Sequence, residues 1–474
     1  MSASTIRARS MRNEDVLARL QNRDPSTAVL LKDGIIISVD PEIGDLRRGD
    51  IVLRGTTIEA VGVDLPDSGP DTIVVDCTGM ILTPGFHDTH RHSWQGALRR
   101  QLPDDDLSGY MVKIHGTFGH MYRPEDIYIG NLITALGMID SGTTTVLDFS
   151  HNSRSAAHSD AAIKAWDDAK IRAVHASCAP MDGDWDEQWP ADLERLTENM
   201  PESGLVTLRM GLLGKAVELI PDIVSLNAEN IAIARRLGLN LSVDGAFGKK
   251  ISDDVAALGA QGLLGPDITL IHCTSFDDDA WEAIASSGVH VSLAPTSDAQ
   301  VGIANGTPPI QKCLDLGVPP TIGLDIECSL SSDFFASMRA LLTIQRMDVF
   351  GRRYEGAPGA GELISDRDVL TYATINGAIA NGLGDVSGSL TPGKEADILF
   401  FNSDDINLFP LNNAVASVVQ AADSRNIEAV MIAGNPVKWQ GEVLVFDLEE
   451  ARRLAEESRD YVFDQAGIEV DVLR

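Results

Sequence analysis

His90 and His92 stand two residues apart in the stretch Gly85-Phe86-His87-Asp88-Thr89-His90-Arg91-His92. In an extended segment residues two apart point the same way, so both imidazoles share one face. Two imidazoles at the end of a buried strand form half of a metal site and need further nitrogen or carboxylate donors from elsewhere in the chain. The alternative, at this point, is a pair of ordinary polar loop residues. Asp88 has the same parity and His87 the opposite one. Met80-Ile81-Leu82 supplies the buried strand, and Pro84-Gly85 breaks it.

The elements that must position such a pair come next. β-rich runs follow at Thr143 to Phe149, Ile171 to Ser177, Val206 to Leu212, Leu239 to Asp244, Ile268 to Cys273, Val289 to Leu293 and Thr321 to Asp325. Helical patterns separate them, among them Arg123 to Ile139, Asn227 to Leu237 and Asp278 to Ala285. Eight strands alternating with helices over about 300 residues predict an α/β fold, a (β/α)8 TIM barrel. A doubly wound sheet is the competing reading, but it would want a glycine-rich phosphate turn after the first strand, where this chain carries histidines.

Short β-rich runs also occur at both ends, from Ala28 to Gly62 and from Asp397 to Val445. They predict a small composite β-sandwich built from both termini. The expected division is an N-terminal arm over 1–25, the sandwich over 26–84 plus 388–446, the barrel over 85–387 and a C-terminal helix and tail over 447–474.

A barrel of this kind gathers its chemistry at the C-terminal ends of the strands. The polar residues there are His90, His92, Asp148, His151, His175, Ser242, Asp244, His272, Thr296, Ser297, Asp325 and Glu327. Five of the ten histidines fall on these ends, which points to a metal or proton-transfer site.

The totals exclude other classes. Lys and Arg number 38 against 70 Asp and Glu, a formal net charge of −32. Such a field repels phosphate backbones and anionic bilayers, so neither nucleic acid nor a membrane is an expected partner. The five cysteines, Cys77, Cys178, Cys273, Cys313 and Cys328, are scattered and include no Cys-x-x-Cys. A reducing cytoplasmic setting is expected. The first residues contain no apolar secretion core, and no long apolar run is present to span a bilayer.

Pro84-Gly85-Phe86-His87-Asp88-Thr89-His90-Arg91-His92 resembles the strand-1 signature of the amidohydrolase superfamily, in the branch of cytosine and adenosyl-homocysteine deaminases and triazine chlorohydrolases. Ser141-Gly142-Thr143, Ile271-His272-Cys273, Ala294-Pro295-Thr296-Ser297 and Gly323-Leu324-Asp325 resemble its later strands. Gly388 to Ile398 resembles the strand returning to the sandwich. That stretch also mimics a phosphate loop, but Glu395 stands where Ser or Thr would be needed. The resemblance implies His90, His92 and Asp325 as metal ligands and His272 as the auxiliary histidine.

Strand 5 departs from the family pattern. Asp244 stands at the histidine position and Phe247 at the position of the proton-shuttling glutamate. Three readings follow. Asp244 is a carboxylate ligand to one divalent ion (Zn, or Fe or Mn), with Asp325 taking the water's proton and His272 meeting the oxyanion. Alternatively the metal is lost, and Asp244, Asp325, His90, His92 and His272 form a metal-independent acid–base pocket. The third reading is an inactive structural relative. The expected substrate is a small cyclic or aromatic molecule with a hydrolysable C–N or C–X bond. Trp94, His151, His175, Phe247 and Glu327 are candidate substrate contacts, and a homo-oligomer, dimer or tetramer, is expected.

Overall fold

The computed structural model describes residues 14–67, 69–181, 189–215 and 222–473. Most of the expected N-terminal arm therefore lies outside the described residues. The described residues begin with a helix, Glu14–Gln21, and five strands: β1 Ala28–Ile37, β2 Asp45–Arg54, β3 Thr57–Gly62, β4 Ile73–Asp76 and β5 Met80–Pro84. Eight strands follow: β6 Phe86–Arg91, β7 Thr143–Ser150, β8 Arg172–Ser177, β9 Val206–Leu213, β10 Leu241–Ala246, β11 Ile268–His272, β12 His290–Leu293 and β13 Pro320–Ile322. The last four are β14 Ile398–Asn402, β15 Ile427–Ile432, β16 Asn435–Trp439 and β17 Glu442–Val443.

β6 to β13 pair in parallel and in sequence order. All eight residues of β7 are buried, as expected of a parallel strand covered on both faces. The barrel closes between its first and last strands. Arg91 bridges Asp325 in parallel, the His92 amide donates to the Asp325 carbonyl at 2.9 Å, and the Asp325 amide donates to the His90 carbonyl at 2.8 Å. Closure of the barrel is thus the same event that brings His90, His92 and Asp325 together.

The remaining strands form one mixed sheet in the order β17-β16-β15-β14-β5-β1-β2-β3, with β4 on β1. β1 pairs β4 through Val29–Lys32 and β5 through Ile35 and Ile36. One long strand therefore serves two neighbours, and the sheet folds over an apolar core that includes Leu31, Ile51, Ile398 and Met431. Both ends of the chain contribute, as the composition of the ends predicts. Arg172 of β8 ties the barrel to this sheet, donating to Asp397 at 3.0 Å and to Glu395 at 2.6 Å. Lys394, in the stretch that mimics a phosphate loop, donates to the Ser387 carbonyl at 3.2 Å and belongs to a turn.

Three helical features matter for the site. The segment over the mouth is helical, Leu107–Tyr110 running into Met111–His115, and the Asp106 carboxylate caps it by accepting from the Gly109 amide at 2.9 Å. The C-terminal helix Leu448–Ala466 packs against the turn Phe118–Met121 that follows this lid. Phe463 and Val462 are buried, and the Phe118 and Phe463 rings lie 4.9 Å apart. Helix Pro124–Asp140 lies beneath, and its Arg123 guanidinium sits 3.5 Å over the Tyr461 ring. Among the described residues no helix is long and apolar enough to cross a membrane.

Candidate active site

The strand ends converge on a cavity of ≈ 560 Å³ whose floor carries His92, Asp244, His272 and Asp325. His90 lies just beneath, fully buried. Nε2 of His90 and Nε2 of His92 each lie 3.2 Å from Oδ1 of Asp325. Asp244 approaches from the other side, with Oδ1 3.6 Å from His90 Nε2 and Oδ2 3.3 Å from His92 Nε2. His272 Nε2 lies 3.4 Å from Asp244 Oδ1.

Backbone geometry holds these groups inward. His272 and Asp325 are not glycines, yet their φ angles are 77° and 68°. Left-handed conformations in such residues cost free energy and persist where the surroundings impose them, typically at functional sites. Asp244 precedes Gly245, whose amide donates back to its Oδ1 at 2.6 Å.

Each outward-facing atom has a fixed partner, with one exception. His92 Nδ1 lies 3.2 Å from the Phe149 carbonyl. His272 Nδ1 lies 2.7 Å from Asp298 Oδ1. The Ser297 hydroxyl donates to Asp325 Oδ2. The exception is His90, both of whose ring nitrogens lack a hydrogen-bond partner.

The electrostatics follow from this crowding. Burial alone would push the Asp244 and Asp325 carboxyls up, but the surrounding histidines outweigh it and hold both well below the usual range. Burial would likewise push His92 down, yet the two carboxylates pull it up to about 10. The centre therefore demands positive charge.

The far wall is different. His151 stacks on His92 with ring centroids 4.0 Å apart, and the Trp94 indole donates to its Nδ1 at 3.1 Å. An indole N–H only donates, so His151 Nδ1 accepts and its proton sits on Nε2. His115 from the lid adds a third ring, with Nε2 3.1 Å from the Tyr110 hydroxyl. Most of the rest is apolar: Leu107, Met111, Leu213, Phe247, Val301 and Ile326.

Among the expected substrate contacts, His151 and Phe247 line the cavity. Trp94, His175 and Glu327 do not. Trp94 is fully buried behind His151. His175 faces out of the barrel, where its Nδ1 lies 3.0 Å from Asp148, which also accepts from the Trp166 indole on helix Ala156–Ala169. Glu327 is buried between Arg91 and Arg99. Asp298, Tyr110 and His115 are the polar neighbours that strand-end reasoning leaves out. Asp298 directly follows the Ala294–Ser297 motif, and that adjacency is its only signal.

Known proteins resemble this chain in sequence and in fold. The 5'-deoxyadenosine deaminase of Methanosarcina mazei is 26% identical, over 90% of this chain and 98% of its own. The 5-methylthioadenosine/S-adenosylhomocysteine deaminase of Pelotomaculum thermopropionicum is 26% identical, over 90% and 96%. In structure, a zinc-bound adenosine deaminase from Xanthomonas campestris superposes with a TM-score of 0.77 at 20% identity, covering 92% of this chain and 99% of that one. Atrazine chlorohydrolase from Arthrobacter aurescens, in complex with zinc, gives 0.73 at 22%, covering 92% and 100%. The pattern of the Amidohydrolase family matches residues 81–437, through the barrel and into the returning sheet. This chain belongs to the amidohydrolase family.

Proposed function

We propose that this protein is a metal-dependent hydrolase that cleaves a C–N bond of a small, largely apolar ring compound. The observation that carries the reading is the convergence of His90, His92, Asp244, His272 and Asp325 on one cavity floor. The donors suit a divalent cation on two counts. His90 is buried with both ring nitrogens unpartnered, and two buried carboxylates face imidazole nitrogens across 3.2–3.6 Å. Donors each ~2.1 Å from one ion stand ~3.0–3.4 Å apart in tetrahedral or octahedral geometry, close to these separations. His90, His92, Asp325 and Asp244 are the residues that would hold it. When bound, a divalent metal lowers the pKa of a coordinated water toward ~7 and makes hydroxide available at neutral pH.

The chain supplies the rest. Asp325 takes the proton of the attacking water, with Ser297 fixing its carboxylate plane through Oδ2. His151, protonated at Nε2, offers a donor to a ring nitrogen or departing amine from the opposite wall, the service that Phe247 cannot perform. The lid of Leu107 and Met111 excludes water and favours a substrate with few hydroxyls. A reducing cytosol and a homo-oligomer belong to the same proposal. Five free, buried cysteines support the first, and exposed Met347, Phe350 and Tyr354 on helix Phe334–Tyr354 support the second.

The test is ammonia release by the metal-loaded protein from sugar-free aminated N-heterocycles, 5'-deoxyadenosine and S-adenosylhomocysteine. Turnover of at least one, strongest for the sugar-free rings and lost on chelation, is the expected result. Metal-loaded protein inert toward every C–N substrate offered would overturn it.

A further inference from the structure

A second cleft borders the lid and shares no lining residue with the catalytic cavity. It measures ≈ 570 Å³, a size that admits a small molecule. Residues 97–105 form one wall, Lys113 and Phe118 another, and the C-terminal helix and tail the third. We propose that this cleft is a second binding site, for a small organic monocarboxylate. Arg100, with Arg99 beside it, meets the carboxylate, and Phe118, Phe463 and Ile468 hold its apolar body.

Charge accounting leads there. Glu327 accepts from both Arg91 and Arg99, and Asp88 accepts from Arg91 at 2.8 Å. The Arg100 amide donates to the Glu327 carbonyl at 3.0 Å. Its guanidinium, among the described residues, has no carboxylate within ion-pair distance. Three guanidinium groups therefore share two carboxylates, in a chain whose formal net charge is −32. Arg100 is solvent-accessible, yet partial burial pushes its guanidinium below the ordinary value. Glu327 opposes that shift, and the charges of Arg99 and Arg91 add to it. An anion in the cleft completes the count. Arg99 donates through Nε to Glu327 and through Nη2 to the Ile133 carbonyl, which leaves Nη1 for another acceptor. A guanidinium with free N–H groups suits a carboxylate in a two-point contact. Arg100 also holds a left-handed φ of 61°, a strain that clusters where ligands bind.

The rest of the lining selects the ligand. Lys113 is held by Asp105 at 2.8 Å and Arg459 by Asp460 at 2.7 Å. Asp104 and Asp471 also line the cleft. Their charges favour an anion with one negative charge over a phosphate with two. The apolar wall of Phe118, Phe463 and Ile468 favours a carboxylate with a hydrocarbon body.

Isothermal titration of the purified protein with sodium benzoate, acetate and inorganic phosphate reads the site. One benzoate per chain, bound more tightly than acetate or phosphate, is the expected result. Arg100→Gln is expected to weaken benzoate at least about tenfold, and Arg100→Lys to retain part of the affinity. Ile468→Ser is expected to weaken benzoate and leave acetate unchanged. Asp325→Ala, altered in the catalytic cavity, is expected to bind benzoate as the wild type does. Arg100→Gln removes an uncompensated charge, so its melting temperature in anion-poor buffer should equal or exceed that of the wild type, which separates lost binding from misfolding. No benzoate binding by the wild type, or unchanged affinity in Arg100→Gln, would overturn the inference. Benzoate binding lost in Asp325→Ala would overturn it too, by placing the ligand in the catalytic cavity. Phosphate bound more tightly than benzoate would overturn the assignment to a monocarboxylate.

Discussion

The Trp94 indole donates to Nδ1 of His151 across 3.1 Å, with both residues buried. A tryptophan that never touches the cavity thereby decides which nitrogen of His151 faces it with a proton. We expect Trp94→Phe to destabilise the protein by about 1–3 kcal/mol, the range for a buried partner left unsatisfied. Turnover should fall about tenfold, ~1.4 kcal/mol of barrier, because His151 then populates both tautomers. Steady-state kinetics on the folded variant check this, and unchanged kcat would argue against His151 as a donor.

We expect Glu327 to act as a structural carboxylate. It sits between Arg91 and Arg99, and Arg91 in turn donates to Asp88 at 2.8 Å. Burial pushes its carboxyl up, but Arg99 and Arg91 outweigh that and hold it below its ordinary value. Glu327→Gln leaves two guanidinium groups short of a counter-charge. We expect a loss of about 3–5 kcal/mol in denaturant unfolding, with KM nearly unchanged. A raised KM at unchanged stability would return Glu327 to the substrate.

We expect His115 to make the lid acid-sensitive. Burial, helped by the charge on His92, pushes His115 down to about 3, whereas an unfolded histidine titrates near ~6.5. On acidification the unfolded chain takes up this proton first. The stability is therefore present above about pH 6.5 and is lost as pH falls toward 3. His115→Gln retains a side-chain group for the Tyr110 hydroxyl but does not titrate. Its melting temperature should fall less than that of the wild type between pH 6.5 and 4. Parallel melting curves would count against this role.

The parts of the site that the sequence reveals share one property: each ends a β-rich run. His90, His92, Asp244, His272 and Asp325 are legible because parallel strands in a closed barrel must bring their C-terminal ends together. Orientation is harder to read. Asp148 and His175 lie at strand ends and pair in register, yet they point at helix Ala156–Ala169, because a strand end offers two faces. Asp298 eludes strand-end reasoning since it follows Ser297 on a helical turn. The lid is hidden for a different reason. Asp104-Asp105-Asp106 does not announce a helix, yet the Asp106 carboxylate caps one by accepting from the Gly109 amide.

Phe463 is expected to hold the lid down from above. Its ring packs on Phe118 within an apolar cluster that includes Tyr110, Ile114 and Val301. Phe463→Ala should cost about 3–5 kcal/mol and speed limited proteolysis within Leu107–His115. A cleavage rate equal to that of the wild type would show that the lid stands without the C-terminal helix.

The central claim is that barrel closure builds a metal centre in which a carboxylate, Asp244, occupies the histidine position of strand β10. Elemental analysis of the purified wild type beside Asp325→Ala and His90→Ala tests it most directly. One divalent ion per chain in the wild type, and almost none in either variant, is the expected result. A wild type that carries no ion, and takes up none from added Zn²⁺, Fe²⁺ or Mn²⁺, would contradict it and leave an acid–base pocket in its place.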